Sequence, residues 1–271
     1  MRKFILYLLL ILVAVSMLFP FFAMVYLSFV PENQILLISN SDLKPQFTLE
    51  NYKNVFHSLP VLKYFINSLI VSVITTVGQI FISLFAGYAF ARMKFKGSNI
   101  IFFIILITMM IPPQVNIIPL FWLMSSLHLI NTYQALILPG IFGGFGIFLM
   151  RQHFLNMSKE LEDAAKIDGC NIFQTVVKIS MPLALPAIAT LGIFTFVSSW
   201  NSFMWPLIAT TTESMRTLPL GLAEFRGSFR EVILWGQLLA CSVICAVPAI
   251  LVFLIGKKYI ISDILKGAVK E

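Results

Sequence analysis

The sequence predicts an all-α protein that crosses a membrane several times, and its composition and apolar runs carry that prediction. Of the 271 residues, 59% are hydrophobic and only 11% are charged, and the mean hydropathy is +0.91. Soluble domains carry about 25% charged residues. A soluble fold of this length cannot bury so much apolar surface, whereas a bilayer accommodates it. We therefore expect a single membrane domain over residues 1–271.

Six runs without a charged residue have the length that an α-helix needs to cross the hydrocarbon core, about 20 residues. The predicted spans lie at about 4–30, 65–91, 99–125, 132–150, 183–208 and 232–256. Helices are expected because the runs lack the alternating pattern of barrel strands. Prolines inside or near the ends of the runs predict kinks or breaks at Pro20, Pro112, Pro113 and Pro206.

The basic residues divide unevenly between alternate connecting segments, which predicts the orientation. Thirteen of them fall in one set of segments: Arg2, Lys3, Arg92, Lys94, Lys96, Arg151, Lys159, Lys166, Lys178, Lys257, Lys258, Lys266 and Lys270. Only six fall in the other set: Lys44, Lys53, Lys63, Arg216, Arg226 and Arg230. The positive-inside rule puts the richer set, and both termini, in the cytoplasm. The net charge of +7 then reflects topology, and no nucleic-acid partner is predicted.

The predicted cytoplasmic loop 151–181 contains a short polar helix. Ser158 is a suitable N-cap, and Glu160 and Glu162 put negative charge in the first turn, where it complements the helix dipole. Gly169 is expected to end the helix, because glycine adopts left-handed dihedral angles at little cost. A second short helix should follow, with the next span beginning near Pro182.

One narrow face of this polar helix carries small and apolar residues. Leu161, Ala164, Ala165 and Asp168 follow the i, i+3, i+4, i+7 spacing of a helical face. A helix lying on the bilayer would instead carry a basic face and large apolar anchors. The net acidic charge and the small alanines favour docking of another protein on this helix.

The loop sequence resembles the signature loop of ABC importer permeases. The matching residues are Glu162-Asp163-Ala164-Ala165-Lys166-Ile167-Asp168-Gly169, followed after twelve residues by Met181-Pro182-Leu183. The resemblance is to the second, maltose-permease-type subunit of the carbohydrate-uptake group and covers nearly the whole chain. Other matching stretches are Asn67-Ser68, Gly87 to Arg92, Pro112, Gln114 and Pro119, Trp200 to Leu207, Thr217 to Leu222, and the tail Lys266 to Lys270.

The resemblance implies a type I ABC importer permease fold and a set of partners. A separate ATPase, holding ATP and Mg, would grip the loop as a coupling helix through Glu162, Asp163, Ala164, Ala165, Asp168 and Gly169. Its interface would also include the C-terminal residues Gly267, Ala268, Val269 and Lys270. The implied assembly contains a second homologous permease, two ATP-binding subunits and an extracellular or periplasmic solute-binding protein. This chain itself would be non-catalytic.

Sequence features outside the loop agree with an external energy source. No phosphate-loop pattern Gly-x-x-x-x-Gly-Lys-Ser/Thr occurs. The spans lack Asp, Glu, Lys and Arg, which usually carry the ion in proton- or sodium-coupled carriers. The three cysteines and three histidines show no metal-ligand spacing, so no bound cofactor or metal is predicted.

Uncharged side chains within the spans are the candidates for a translocation pathway: Asn67, Gln79, Gln114, Asn116, Trp200 and Asn201. Amides and aromatic faces suit a sugar. Each amide taken singly is better explained as an interhelical hydrogen bond, and Trp200 also fits an interfacial anchor.

The leading hypothesis is a multi-pass permease of the bacterial or archaeal cytoplasmic membrane that imports a sugar or oligosaccharide by alternating access. The same kind of importer acting on glycerol-phosphate or another polar solute is the first alternative. An ATP-independent carrier or channel is the second.

Overall fold

Helices dominate the architecture, as the composition predicts. The computed structural model describes residues 2–35, 46–227 and 234–268, and no strand occurs in these ranges. The α-helices are α1 (Arg2–Ser28), α2 (Glu32–Ile35), α3 (Glu50–Ser58), α4 (Val61–Arg92), α5 (Ser98–Met110), α6 (Ile117–Ser126), α7 (Tyr133–Ile141), α8 (Gly144–Asn156), α9 (Glu160–Ile167), α10 (Ile172–Thr175), α11 (Met181–Leu183), α12 (Leu185–Trp200), α13 (Met204–Ala209), α14 (Leu218–Gly227) and α15 (Trp235–Ala268).

Within the described ranges, four helical stretches are long and apolar enough to cross a bilayer: Lys3–Ser28, Val61–Arg92, Tyr133–Asn156 and Trp235–Tyr259. Two bent pairs raise the number to six if each counts as one span. Ser98–Met110 meets Pro113–Ser126 at 97°, and Ile172–Leu183 meets Leu185–Trp200 at 80°. The third predicted span therefore corresponds to a broken helix, and the 80° bend lies at the start of the fifth predicted span.

The break in the third span lies where the prolines predict it. Ile111 and Pro112 have extended ψ angles of 120° and 132°, and a 3-10 turn, Pro113–Asn116, leads into α6. Proline lacks an N–H group and disfavours the helical conformation of the residue before it. Pro20, by contrast, lies inside the continuous helix α1, and Pro206 lies inside α13.

The chain divides into two compact units, and the first comprises Met1–Phe65 and Thr217–Pro248. Its helix ends are satisfied by side chains from elsewhere in the unit. The buried Asn51 amide donates to the carbonyls of Ser28 and Val30 at 2.9 and 2.7 Å, which caps the end of α1. The Glu32 carboxylate accepts the N–H groups of Trp235 and Gly236 at the start of α15, at 2.7 and 2.8 Å. These groups would otherwise be orphaned helix-terminal donors and acceptors.

The second unit comprises Ile66–Arg216 and Ala249–Glu271. Within it, α4 packs closely along α7 and α8, because glycines on those helices face polar side chains on α4. A Cβ atom would overlap the Thr75 methyl at Gly140, the Gln79 amide at Gly143, which lies between the two helices, and the Ser83 hydroxyl at Gly146. Thr75, Gln79 and Ser83 are spaced four residues apart along α4.

The Gly140-x-x-x-Gly144 pair illustrates how these helices pack. Both glycines of the pair lie at close contacts between helices, but they face different helices. A Cβ on Gly144 would lie 3.2 Å from the Ile105 carbonyl of α5, whereas Gly140 faces α4. The pair is therefore not a single dimerisation face of the kind that the spacing often marks.

Candidate functional site

The polar helix of the 151–181 loop is α9, Glu160–Ile167. The Ser158 hydroxyl accepts the N–H of Glu160 at 3.2 Å, although the residue that immediately precedes the helix is Lys159. At the other end Gly169 has a φ of +82°. The Cys170 N–H donates to Ala165 and the Gly169 N–H to Lys166, at 2.9 and 3.1 Å. These two bonds form a Schellman motif, and the predicted stop at Gly169 is confirmed.

The second half of the loop returns the chain to the membrane. Asn171 and Gln174 form a capping box, with bonds of 2.8 and 3.0 Å, at the start of α10. A π-helical turn, Val176–Ser180, follows, and α11 leads to the 80° bend before α12. The spanning helix begins at Leu185 with Pro186 in its first turn, slightly later than the predicted start near Pro182.

The two faces of α9 differ sharply in exposure. Glu162 and Ala165 are buried, 4% and 3% exposed. Leu161 is 47% and Ile167 is 87% exposed, and Ala164 and Asp168 are also exposed. The structure thus separates the two alanines that the spacing had placed on one face. The free surface of α9 is apolar at its centre and carries an exposed Asp163–Lys166 ion pair of 3.0 Å.

The buried face of α9 is held by an ion pair to the end of α4. Arg92 Nε donates to Glu162 Oε1 at 2.9 Å, and each side chain is only 5% exposed. Arg92 Nη2 donates to the Met157 carbonyl at 2.5 Å. Tyr88, one turn before Arg92, donates from its hydroxyl to Glu162 Oε2 at 3.3 Å. We call these four residues the Arg92 junction.

An apolar cluster supports the Arg92 junction from the membrane side. The Tyr88 ring packs edge-on against Phe154 with centroids 5.4 Å apart. Buried residues from α4, α8, the π-helical turn and α12 complete the cluster: Leu84, Tyr88, Met150, Phe154, Val176, Ala184, Ala187 and Leu191. Low solvent access strengthens the charge-assisted bonds of the junction.

Asn67, a predicted pathway residue near the other end of α4, directs its side-chain amide to other parts of the protein. The residue is 1% exposed. Its amide nitrogen donates to the carbonyls of Ser214 and Arg216 at 2.9 and 2.8 Å, and its amide oxygen accepts from the Tyr133 hydroxyl at 2.6 Å. We call this arrangement the Asn67 clamp. The alternative explanation of an interhelical hydrogen bond therefore describes Asn67 in this structure.

The other predicted pathway residues fall into a buried and an exposed group. Gln79 is 8% exposed against Gly143, and Trp200 is 1% exposed and stacked on Phe196 at 5.8 Å. Gln114 and Asn116 are exposed on the 3-10 turn in the broken third span. Asn201 is exposed where α12 ends.

Three structurally central residues were not singled out as site residues in the sequence: Tyr88, Arg92 and Tyr133. Among these three, only Arg92 could have been recognised from the sequence. It is a charged residue at the end of an apolar span, and a charged residue in such a place is expected to pair with an opposite charge when it is buried. The burial of its partner was not visible, since a glutamate in a polar helix is usually solvated.

The C-terminal residues predicted to contact an ATPase lie at the limit of the described chain. Gly267 and Ala268 are the last residues of α15, whereas Val269 and Lys270 lie outside the described residues. In the part of the chain that the structure describes, no group of three or more His, Cys, Asp or Glu residues is placed to hold a metal ion.

Comparison with known proteins assigns this arrangement to a family. Residues 79–264, more than half of the chain, match the family described as binding-protein-dependent transport system inner membrane component. The chain belongs to this family. The resemblance to ABC importer permeases is thereby confirmed, and the protein is a multi-pass membrane protein.

Individual relatives match over almost their whole length. The arabinooligosaccharides transport system permease protein AraQ of Bacillus subtilis is 38% identical over 93% of this chain and 90% of its own. The trehalose/maltose transport system permease protein MalG of Thermococcus litoralis is 35% identical over 96% and 94%. The sn-glycerol-3-phosphate transport system permease protein UgpE of Yersinia enterocolitica is 26% identical over 92% and 90%.

A solved structure confirms the fold. A chain of a bacterial ABC transporter involved in the import of the acidic polysaccharide alginate superposes with a TM-score of 0.84 over 96% of both chains, at 24% identity. The predicted all-α importer-permease fold is therefore confirmed.

Proposed function

We propose that this chain is one of two membrane subunits of an ATP-driven importer for a sugar or oligosaccharide in the bacterial or archaeal cytoplasmic membrane. The second subunit is a homologous permease, a solute-binding protein delivers the solute, and two ATPase subunits hold ATP and Mg. Both termini lie in the cytoplasm. The names of the relatives with the higher identities favour a sugar.

The observation that carries the coupling role is the exposed face of α9 on an internally braced helix. Leu161, Ala164 and Ile167 present apolar surface in a loop whose other face is locked by the Arg92 junction. Exposed apolar side chains on a rigid support are typical of a protein interface. The ATPase contacts Ala164, Asp163, Asp168 and the turn at Gly169. Glu162 and Ala165 contribute by fixing the helix, and the Gly267 to Lys270 tail adds a second contact.

The exposed members of the predicted pathway lie where the spans are broken. Gln114, Asn116 and Asn201 follow the ends of α5 and α12. Non-helical backbone at membrane depth is tolerated where it lines a cavity or is buried in protein. These three amides therefore line the solute pathway in the assembly. The buried residues Asn67, Gln79 and Trp200 do not face the solute but hold the helices around the pathway in place.

Uptake of radiolabelled solutes by a strain that lacks only this chain tests the proposal. Arabinooligosaccharides, maltose and trehalose are each supplied with and without the restored gene, and restored uptake of at least one supports a sugar importer. Restored uptake of sn-glycerol-3-phosphate alone would favour the alternative hypothesis, an importer for that solute, which the name of the relative UgpE suggests. Transport by the purified chain in liposomes without an ATPase would contradict ATP coupling.

A further inference from the structure

The helix α4 carries a buried polar fastening near each of its ends. At Arg92 it is tied to α9 and to the Met157 carbonyl. At Asn67 it is tied to the backbone of Ser214 and Arg216 and to Tyr133. The two fastenings are separated by about 37 Å of helix at ~1.5 Å per residue. They lie on opposite sides of the predicted membrane.

Each fastening resists displacement because several bonds act on it together. Glu162 receives a bond from Arg92 and another from Tyr88, which lie one turn apart on the same face of α4. Asn67 uses both amide hydrogens and its oxygen. Breaking any one of these bonds would leave a buried polar group unpaired, which costs about 1–3 kcal/mol, so the bonds resist separation of the attached segments.

The helix between the fastenings is stiff. It contains no proline, and its two glycines are backed by side chains of α7 and α8. Gly78 faces Ile141, and Gly87 faces Met150 and the N–H of Arg151. Proline and π-bulges are common causes of kinks, and neither occurs in α4, which is an unbroken α-helix from Val61 to Arg92.

The segment held by the Asn67 clamp is fixed at further points. The Asn131 amide oxygen accepts the N–H groups of Thr211 and Thr212, both at 3.0 Å. The Asn131 N–H donates to the Ala209 carbonyl at 2.8 Å. Segment 210–216 is therefore one ordered strap, and a displacement at Asn67 moves it as a piece.

We propose that α4 is a rod that carries the displacement of α9 from the Arg92 junction to strap 210–216 through the Asn67 clamp. Arg92, Glu162 and Asn67 are then positioning residues for the transport cycle and do not contact the solute. This inference rests on the proposed function, since an ATPase must move α9. The strap would respond to ATP only while both fastenings hold.

Distances between spin labels in the complex with the copurified ATPase test the rod. Cys170 reports α9, Thr211→Cys reports the strap, and Leu49→Cys, exposed in the other unit, is the common reference. Cys241 and Cys245 are replaced by alanine. Addition of ATP and vanadate should shift both the 170–49 and the 211–49 distances by at least about 2 Å, the scale of helix shifts in switching proteins.

Variants at the two fastenings then separate the outcomes. The double variant Arg92→Met/Glu162→Gln, which leaves no buried charge unpaired, and the variant Asn67→Leu should each keep the shift at Cys170 and lose the shift at position 211. Lys94→Met, two residues beyond Arg92 and exposed, is the matched control and should keep both shifts. If position 211 still shifts in both fastening variants, the rod is overturned.

Two further results have a fixed meaning. If ATP leaves the 170–49 distance unchanged in the native complex, the proposed function fails at its first step, independently of the rod. If both fastening variants lose the ATPase while Lys94→Met retains it, the fastenings serve only folding of the docking loop, and the rod is also overturned.

Discussion

Within the loop 151–181, the solvent exposure of a side chain and its ion-pair partner distinguish the roles of individual residues. Glu162 and Asp163 are adjacent acids that the sequence treats alike, since both fall in the first turns of a polar helix. In the structure Glu162 is paired with Arg92 at 5% exposure, whereas Asp163 pairs with Lys166 at 64% exposure. Sequence spacing predicted the helix but could not assign the inward acid, because the counter-charge lies 70 positions away in the chain.

The first prediction compares these two acids. Glu162→Gln leaves Arg92 buried without a counter-charge, which typically costs about 3–5 kcal/mol. Asp163→Asn removes an exposed pair worth about 0.2–1 kcal/mol. The thermal midpoint of the detergent-solubilised protein should therefore fall by several degrees for Glu162→Gln and change little for Asp163→Asn. Equal midpoints would show that the Arg92 junction does not stabilise the loop.

The second prediction concerns Gly169. A Cβ atom there meets nothing within 4 Å in this chain, so a substitution acts through the backbone strain of φ +82°. Left-handed dihedrals cost most residues about 1–2 kcal/mol, and asparagine tolerates them better than alanine or valine. Uptake should therefore decrease in the order Gly169, Asn, Ala, Val. If Ala instead impairs uptake less than the larger Asn, the size of the side chain against a partner, and not backbone strain, governs this position.

Among the secondary-structure elements, the tight packing of α4 against α7 and α8 depends on glycine positions whose partners the sequence did not reveal. Gly-x-x-x-Gly spacing indicated close packing but not which helix each glycine approaches. Pro112 and Pro113 gave the break in the third span, because proline acts on its own backbone. The breaks at 142–143 and 201–203 contain no proline themselves; Pro139 lies three residues before the first break, and Pro206 lies three residues after the second.

The third prediction compares two glycines within the spans. A side chain at Gly146 overlaps Ser83, whereas at Gly192 the nearest atom is the flexible Ile80 Cδ1 at 3.3 Å. Overpacking of a tight interior costs about 1–3 kcal/mol. Gly146→Ala should lower the thermal midpoint and the amount of folded protein in the membrane, and Gly192→Ala should leave both near native. A reversed order would contradict the close approach of α4 and α8.

For the whole molecule, the distribution of basic residues predicts the side of the membrane on which the docking loop lies. Composition was sufficient to predict a polytopic helical protein, because the apolar content of a chain does not depend on which residues contact one another in the fold. The solute is not predictable in the same way, because amides and aromatic rings suit many polar solutes and equally serve as helix–helix contacts, as Asn67 does here.

The fourth prediction concerns orientation. In a protein with Cys241 and Cys245 replaced by alanine, the partly exposed Cys170 is the remaining thiol. A membrane-impermeant maleimide should leave it unlabelled in intact cells and label it in inverted vesicles. A Thr211→Cys variant that also lacks Cys170 should show the opposite pattern. Labelling of Cys170 in intact cells would place the docking loop outside and contradict the predicted topology.

Copurification of an ATPase is the most direct measurement of the central claim that the exposed face of α9 receives work from a nucleotide-hydrolysing partner. The tagged native chain, solubilised from its own membrane, should retain an ATP-hydrolysing subunit, and Lys94→Trp on another exposed turn should retain it equally. Ala164→Trp should leave the membrane level unchanged and lose at least tenfold of the bound ATPase activity. Full retention of that activity by Ala164→Trp would contradict docking at α9.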